Sequence, residues 1–210
     1  EYKKEKRERR NMSYSPTNNL NKFNQPSLVQ FENLKFLIMD SPSDLNIEQY
    51  VKELVRHGTT DIVRACEPHY QTLHCDSAGI TCHDCEFTDG DPPPLHIINK
   101  WLDIIESRYG SFDGKTEPKK NLIENELHQK VQNNNKSKLK KCVAVHCVAG
   151  LGRAPMLVAV ALMEAGFDAE DAVELIRKTR RGAINTRQFD FLLEYIPKRG
   201  KRQEGCCTII

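Results

Sequence analysis

Apolar positions along this chain repeat with two periods, and the periods alternate. Leu34-Lys35-Phe36-Leu37-Ile38-Met39-Asp40 is a short, mostly apolar run that reads as a strand. Ser41-Pro42-Ser43-Asp44 follows as a turn and cap, and Ile47, Tyr50, Val51 and Leu54 then fall at helical spacing, with Gly58 as the stop. Asp61-Ile62-Val63-Arg64-Ala65-Cys66 is the next strand. Strand, helix, strand implies a right-handed crossover and a largely parallel sheet. Ile80 to Phe87 reads as a further strand, and Leu95 to Tyr109 as an amphipathic helix with Ile98, Trp101, Leu102 and Ile105 on one face. Cys142-Val143-Ala144-Val145 reads as a buried strand, and Met156 to Gly166 as an apolar helix ending at a glycine. Asp168-Ala169-Glu170-Asp171 caps a helix carrying Ala172, Val173, Leu175 and Ile176 that ends at Arg180-Arg181-Gly182. Asn185-Thr186 opens the last helix, with Phe189, Phe191, Leu192 and Tyr195 as its apolar positions and Pro197 as its end. The expected fold is α/β, one domain with a central, largely parallel sheet flanked by helices.

Three stretches lack either period. Residues 1–28, a charge run followed by Asn, Ser and Pro, read as a disordered extension or a basic, membrane-facing arm. Residues 111–140 are rich in Lys, Asn and Glu and read as an insertion with a marginal helix near Leu122 to Val131, either inert or a docking element. Residues 199–210 form a basic tail, which leaves 29–198 as the domain. A chain of 210 residues can bury a sizeable core, and these polar stretches account for the modest 39% hydrophobic content. The net charge of +2 gives no global field toward nucleic acid. No signal-peptide pattern and no apolar run of membrane-spanning length is present, and Met12 is a candidate natural start in a sequence beginning at Glu1.

The chemistry concentrates in His146-Cys147-Val148-Ala149-Gly150-Leu151-Gly152-Arg153-Ala154-Pro155, a loop between a strand and a helix. Backbone N–H groups of a tight loop entering a helix converge on one point and bind an anion. Gly150 and Gly152 permit the backbone angles such a loop requires, and Val148, Ala149 and Leu151 complete the cradle. Arg153 can grip a phosphate through two parallel hydrogen bonds. Cys147 sits at the base, where the same dipoles favour its thiolate and place it for in-line attack on phosphorus. His146 either orients the loop or is a buried structural histidine. Cys66, like Cys147, lies at the end of a strand in a sheet whose ligands bind beyond the C-terminal strand ends, so the two cysteines can be neighbours. Cys82-His83-Asp84-Cys85, near His74-Cys75, invites a zinc reading, but cysteines three apart on a strand face opposite ways, and no metal or cofactor is expected. Eight cysteines around one nucleophilic thiolate suit a reducing cytosol.

The loop resembles the signature of the protein tyrosine phosphatases, and Ala154, Val148-Ala149 and Leu151 look like the phosphatase of regenerating liver (PRL) branch. Ile62-Val63-Arg64-Ala65-Cys66-Glu67, Phe87-Thr88-Asp89-Gly90, Glu170-Asp171-Ala172-Val173, Arg180-Arg181-Gly182-Ala183 and the terminal Cys206-Cys207 agree. The resemblance implies the protein tyrosine (dual-specificity-like) phosphatase fold and a phosphocysteine mechanism, with Asp89 protonating the leaving oxygen and then helping to activate water. Asp91 is the fallback acid. The family usually has Trp-Pro before the phenylalanine, where this chain has Cys85-Glu86, and that departure bears on how the acid loop closes. The resemblance further implies a reversible disulfide between Cys66 and Cys147 that shields the thiolate from overoxidation.

Substrate and partner expectations follow. Val148, Ala149 and Leu151 carry no charge, which disfavours a highly phosphorylated inositol headgroup and leaves phosphotyrosine-type proteins, poorly discriminated by a shallow pocket. Most relatives have Ser or Thr where Ala154 stands, and without that hydroxyl the departure of the thiolate from the phosphocysteine should be slow. Slow turnover opens a second class, a binding module whose active-site rim meets a cyclin M-type magnesium transporter, with phosphorylation or oxidation of Cys147 switching it off. A rhodanese-like dual-specificity phosphatase is disfavoured by Asp89. The family also tends to form membrane-favoured homotrimers. Cys207-Thr208-Ile209-Ile210 fits C-a-a-X prenylation, with the carboxyl methylation that accompanies it, and leans to geranylgeranyl. Basic residues upstream add the second signal for an anionic membrane. The expected location is the cytoplasmic face of membranes, with a cytosolic pool when the chain is not prenylated.

Overall fold

The computed structural model describes residues 23–112 and 141–200. The charge run, most of the 111–140 insertion with its marginal helix, and the Cys206-Cys207 tail lie outside the described residues. The described chain forms β1 (Ser27–Phe31), β2 (Leu34–Met39), α1 (Ile47–Arg56), β3 (Thr59–Arg64), α2 (Leu73–Ser77), β4 (Thr81–Asp84), α3 (Leu95–Tyr109), β5 (Cys142–His146), α4 (Arg153–Glu164), α5 (Ala169–Thr179) and α6 (Thr186–Glu194). The sheet runs β1-β2-β5-β3-β4. Only the β1–β2 pair is antiparallel, and β2–β5, β5–β3 and β3–β4 are parallel, as the strand–helix–strand pattern implies.

β5 occupies the middle, and all five of its residues are buried. Its alternation divides the core. Val143 and Val145, with Phe36 and Ile38 of β2, face Trp101, Leu102 and Ile105 of α3 and the apolar residues of α4 from Met156 to Met163. Cys142 and Ala144, with Leu37 and Met39, face Ile47, Tyr50 and Leu54 of α1. Helices thus cover both faces, the arrangement a parallel sheet requires. Every residue of α4 is buried, so this helix is apolar all round because it sits inside the molecule. Trp101 Nε1 donates to the Leu157 carbonyl at 2.6 Å and fixes α3 on α4.

Three boundaries differ from the periodic reading. β1 was hidden in the polar N-terminal stretch, and residues 23–28 belong to the domain: Phe23 packs edge-on against Tyr50 at 4.8 Å, and Asn24 Nδ2 donates to Asp40 at 2.5 Å. β4 stops at Asp84 instead of running to Phe87, because β3, its one partner among the described residues, ends at Arg64; the last ladder bond is Cys85 N–H to the Arg64 carbonyl at 2.9 Å. At the other end the domain reaches Gly200. Glu164, the fully buried last residue of α4, accepts from the N–H groups of Lys198, Arg199 (2.7 Å) and Gly200 (2.9 Å) and from the Tyr195 hydroxyl (2.6 Å). Among the described residues no helix is long and apolar enough to cross a membrane.

Candidate active site

The loop from Cys147 to Gly152 joins the end of β5 to the start of α4. Four successive carbonyls, those of residues 148–151, bond outward. Val148 accepts from Ser41 N–H at 3.0 Å, Ala149 from Arg180 Nη2 at 2.9 Å, Gly150 from Arg180 Nε at 3.1 Å, and Leu151 from Ile184 N–H at 2.8 Å. In a trans peptide the N–H points opposite the carbonyl, and no peptide bond among the described residues is cis. Outward carbonyls on 148–151 therefore turn the N–H groups of 149–152 inward, onto the space above Cys147. No side chain caps the N-terminus of α4, which leaves its first N–H groups for an anion.

Gly150 makes this shape reachable. Its φ is +66°, and a Cβ placed there would stand 2.6 Å from the Met39 carbonyl oxygen.

Arg153 is buried beneath the same space, 7% exposed. Its Nη1 donates to the Phe87 carbonyl at 3.2 Å. Its Nε lies 3.0 Å from Asp89 Oδ1, an ion-pair contact without hydrogen-bond alignment, so this N–H is buried with no hydrogen-bond partner. A buried guanidinium with a donor unspent is suited to an incoming oxyanion. Asp89, Cys147, Val148, Ala149, Leu151, Gly152 and Gln188 line a cavity of about 300 Å³. Val148 and Leu151 form an apolar, partly exposed rim (55% and 40%), and among the described residues no lysine lines the cavity.

The two acidic candidates separate. Asp91 Oδ1 accepts from Arg187 Nη1 at 2.5 Å and is taken up in that pair, while Asp89 lines the cavity in contact with Arg153. The acid loop is clamped to the start of α6: Asn185 Nδ2 donates to the Gly90 carbonyl at 3.1 Å, and Gln188 Nε2 to the Asp91 carbonyl at 3.3 Å. These bonds tie the Asp89 loop to the start of α6 beside the Cys147 loop. Cys85 is fully buried, and burial pushes its thiol up to about 11.

His146 is fully buried, and burial drives its pKa down to about 3, so the ring is neutral. It lies 2.9 Å from the Tyr70 hydroxyl and within hydrogen-bond reach of the Cys147 backbone. It is both alternatives at once, a buried histidine and a prop for the loop. Cys66 is 2% exposed, its Sγ 3.9 Å from His146 Nδ1, and it is near enough to Cys147 and Arg153 to sense both electrostatically. Burial pushes its thiol up to about 11. Cys66 and Cys147 are free thiols here. Cys82 and Cys85 pack in different core clusters, on opposite sides of the strand.

Sequence reading missed Tyr70, Arg180, Ile184 and Gln188. Arg180 appeared only as part of a resembling stretch; nothing local says that its side chain staples a loop thirty residues earlier.

A family model for the protein-tyrosine phosphatases matches residues 112–198. The chain is 42% identical over 181 residues to the PRL-1 phosphatase of Drosophila melanogaster, covering 86% of this chain and 88% of that protein. It is 36% identical to the human protein tyrosine phosphatase type IVA 3, over 88% of this chain and 95% of that one. Among solved structures, a protein tyrosine phosphatase from Leishmania major superposes with a TM-score of 0.62 at 34% identity, covering 81% of this chain and 98% of that one.

Proposed function

The chain belongs to the PRL, or type IVA, group of the protein tyrosine phosphatases, and from that premise we propose that it cleaves phosphotyrosine-type esters through a phosphocysteine formed on Cys147. The phosphoryl oxygens sit on the inward N–H groups of Ala149 to Gly152 and on Arg153. Cys147 Sγ attacks phosphorus in line, the bond to the leaving oxygen breaks, and Asp89 protonates that oxygen. Asp89, now a carboxylate, takes a proton from the water that attacks the phosphocysteine, and the thiolate departs. The observation that carries this reading is the outward turn of four successive carbonyls above the cysteine. The apolar rim supports a flat aromatic ester over a polyphosphate headgroup.

Ala154 limits the second step. It is fully buried at the start of α4 and has no hydroxyl to donate to the departing thiolate. A rapid-mix assay with an aryl phosphate on reduced protein tests both points. Wild type gives a stoichiometric burst of leaving group followed by slow release of phosphate. Ala154→Ser keeps the burst and raises steady-state turnover about tenfold, the effect of roughly one hydrogen bond to a charged group. Asp89→Asn slows the burst with poor leaving groups, while Asp91→Asn leaves it intact. Without a burst in folded, reduced protein the phosphatase mechanism fails, and the binding module, meeting a cyclin M-type transporter through Val148 and Leu151, takes its place.

The same proposal places the chain on membranes through a prenyl group on Cys207. Sedimentation with membranes that survives Cys207→Ser refutes it.

A further inference from the structure

A second pair of thiols lies outside the catalytic centre. Cys75, on α2, is fully buried, and Cys82, on the edge strand β4, is partly exposed. The chain between them folds back on itself: Ile80 N–H donates to the Cys75 carbonyl at 2.9 Å, and Gly79, at φ +72°, makes the reversal. Both belong to the core cluster under α1, with Tyr70. The two side chains pack in that one cluster, close enough for each thiol to weigh on the ionisation of the other.

We propose that Cys75 and Cys82 are a reversible oxidation site, forming a disulfide under hydrogen peroxide that is separate from the catalytic cysteine. Two thiols packed in one cluster across a tight chain reversal, one of them partly open to solvent, have little distance to close. Their mutual influence lowers the pKa of Cys75 and raises that of Cys82, so the first proton lost leaves a thiolate beside the remaining S–H. That thiolate attacks a peroxide oxygen. The O–O bond breaks, the hydroxide released takes the proton as water, and a sulfenic acid remains. The second sulfur attacks the sulfenic sulfur, the S–O bond breaks, and the hydroxyl leaves as water with the second thiol's proton. One peroxide is reduced to two waters, and two thiols become one disulfide.

The position gives the bond a consequence. Tyr70 packs in the same cluster and reaches His146 Nε2 at 2.9 Å, and His146 braces Cys147. The disulfide staples α2 to β4 behind this support without consuming a group the reaction uses. It closes a short ring, whose loop-closure entropy corresponds to a rise of about 5 °C in Tm.

The test uses the full chain carrying Cys66→Ala and Cys147→Ser, so that the pair at the active site cannot form. Protein is treated with stoichiometric peroxide, alkylated, and cut before aspartates. Cleavage before Asp61, Asp76 and Asp84 separates Cys75, Cys82 and Cys85 onto peptides 61–75, 76–83 and 84–88. The expected result is peptides 61–75 and 76–83 joined, two hydrogens lighter, released by reductant, with Tm raised by about 5 °C in the joined form. Adding Cys82→Val, close in size to cysteine, removes both the cross-link and the shift. Separately alkylated peptides, an irreversible sulfinic acid on Cys82, or a shift that survives Cys82→Val each overturns the proposal.

Discussion

Replacing Cys147 by Ser removes the burst and lowers turnover by at least about 10⁴-fold, while the protein still binds a phosphotyrosine peptide within about threefold of wild type. A serine hydroxyl attacks phosphorus only with a base to take its proton. His146 is the adjacent candidate, but it is sealed: fully buried, its Nε2 on Tyr70 and its Nδ1 toward Cys66 and the Cys147 backbone. Its proton-accepting electrons have no path to the face of residue 147 that meets the substrate. Asp89 lines the same cavity but is paired with Arg153, and in the proposed mechanism it serves the leaving oxygen, not the attacking atom. Nothing in the cavity can therefore rescue a hydroxyl, whereas a thiol ionises without a base. Binding survives because the inward N–H groups and Arg153 owe nothing to the sulfur. The check is the rapid-mix assay beside calorimetric titration of the peptide. Turnover above about 1% of wild type would show that another group can act as nucleophile or base.

What the sequence made legible was whatever is decided locally. The strand, the loop and the helix around Cys147 are contiguous, and their residue types state the backbone shape before any packing is known. α3 begins at Leu95 and ends at Tyr109 as read, because its apolar face repeats cleanly and Pro94 and Gly110 bound it. The parallel sheet followed from the order of elements. The illegible part is what long-range packing decides. β1 is five residues of weak alternation beside an Asn-rich stretch, and only its pairing with β2 through Ser27↔Ile38 to Phe31↔Leu34 makes it a strand. α2 spans only Leu73–Ser77, too short for a periodic signal. Arg180 and Gly150 are thirty residues apart, and Tyr70 and His146 seventy-six. No spacing rule reaches across such intervals. Asp89 was read as the acid, with Asp91 as its fallback, and their surroundings also differ through a long-range contact: Arg187, ninety-six residues away in sequence, engages Asp91, while Asp89 lines the cavity.

Gly150→Ala is expected to cost about 3 kcal/mol of stability and at least about 100-fold in kcat/KM, an effect on both quantities that no other glycine of the described chain should match. Two costs add. A left-handed residue with a Cβ carries about 1–2 kcal/mol of backbone strain, and Gly150 holds φ at +66°. The added methyl also meets backbone that cannot retreat: the Met39 carbonyl oxygen at 2.6 Å and its carbon at 2.8 Å. Met39 is the last residue of β2 and is paired in register with His146, so moving it disturbs the strand that delivers Cys147. The methyl also overlaps the Arg180 guanidinium, which holds the Ala149 and Gly150 carbonyls outward. The loop must therefore shift, and a shift there turns inward N–H groups off the phosphate. Gly166→Ala is the control. Gly166 also has positive φ, at +106°, but nothing lies within 4 Å of an added Cβ and it is remote from the cavity. It should lose about 1–2 kcal/mol through strain alone and keep its kcat/KM. Melting curves and steady-state kinetics on the two variants separate the costs. If Gly150→Ala lost only what Gly166→Ala loses, the outward hold on the carbonyls would not be what builds the phosphate cradle.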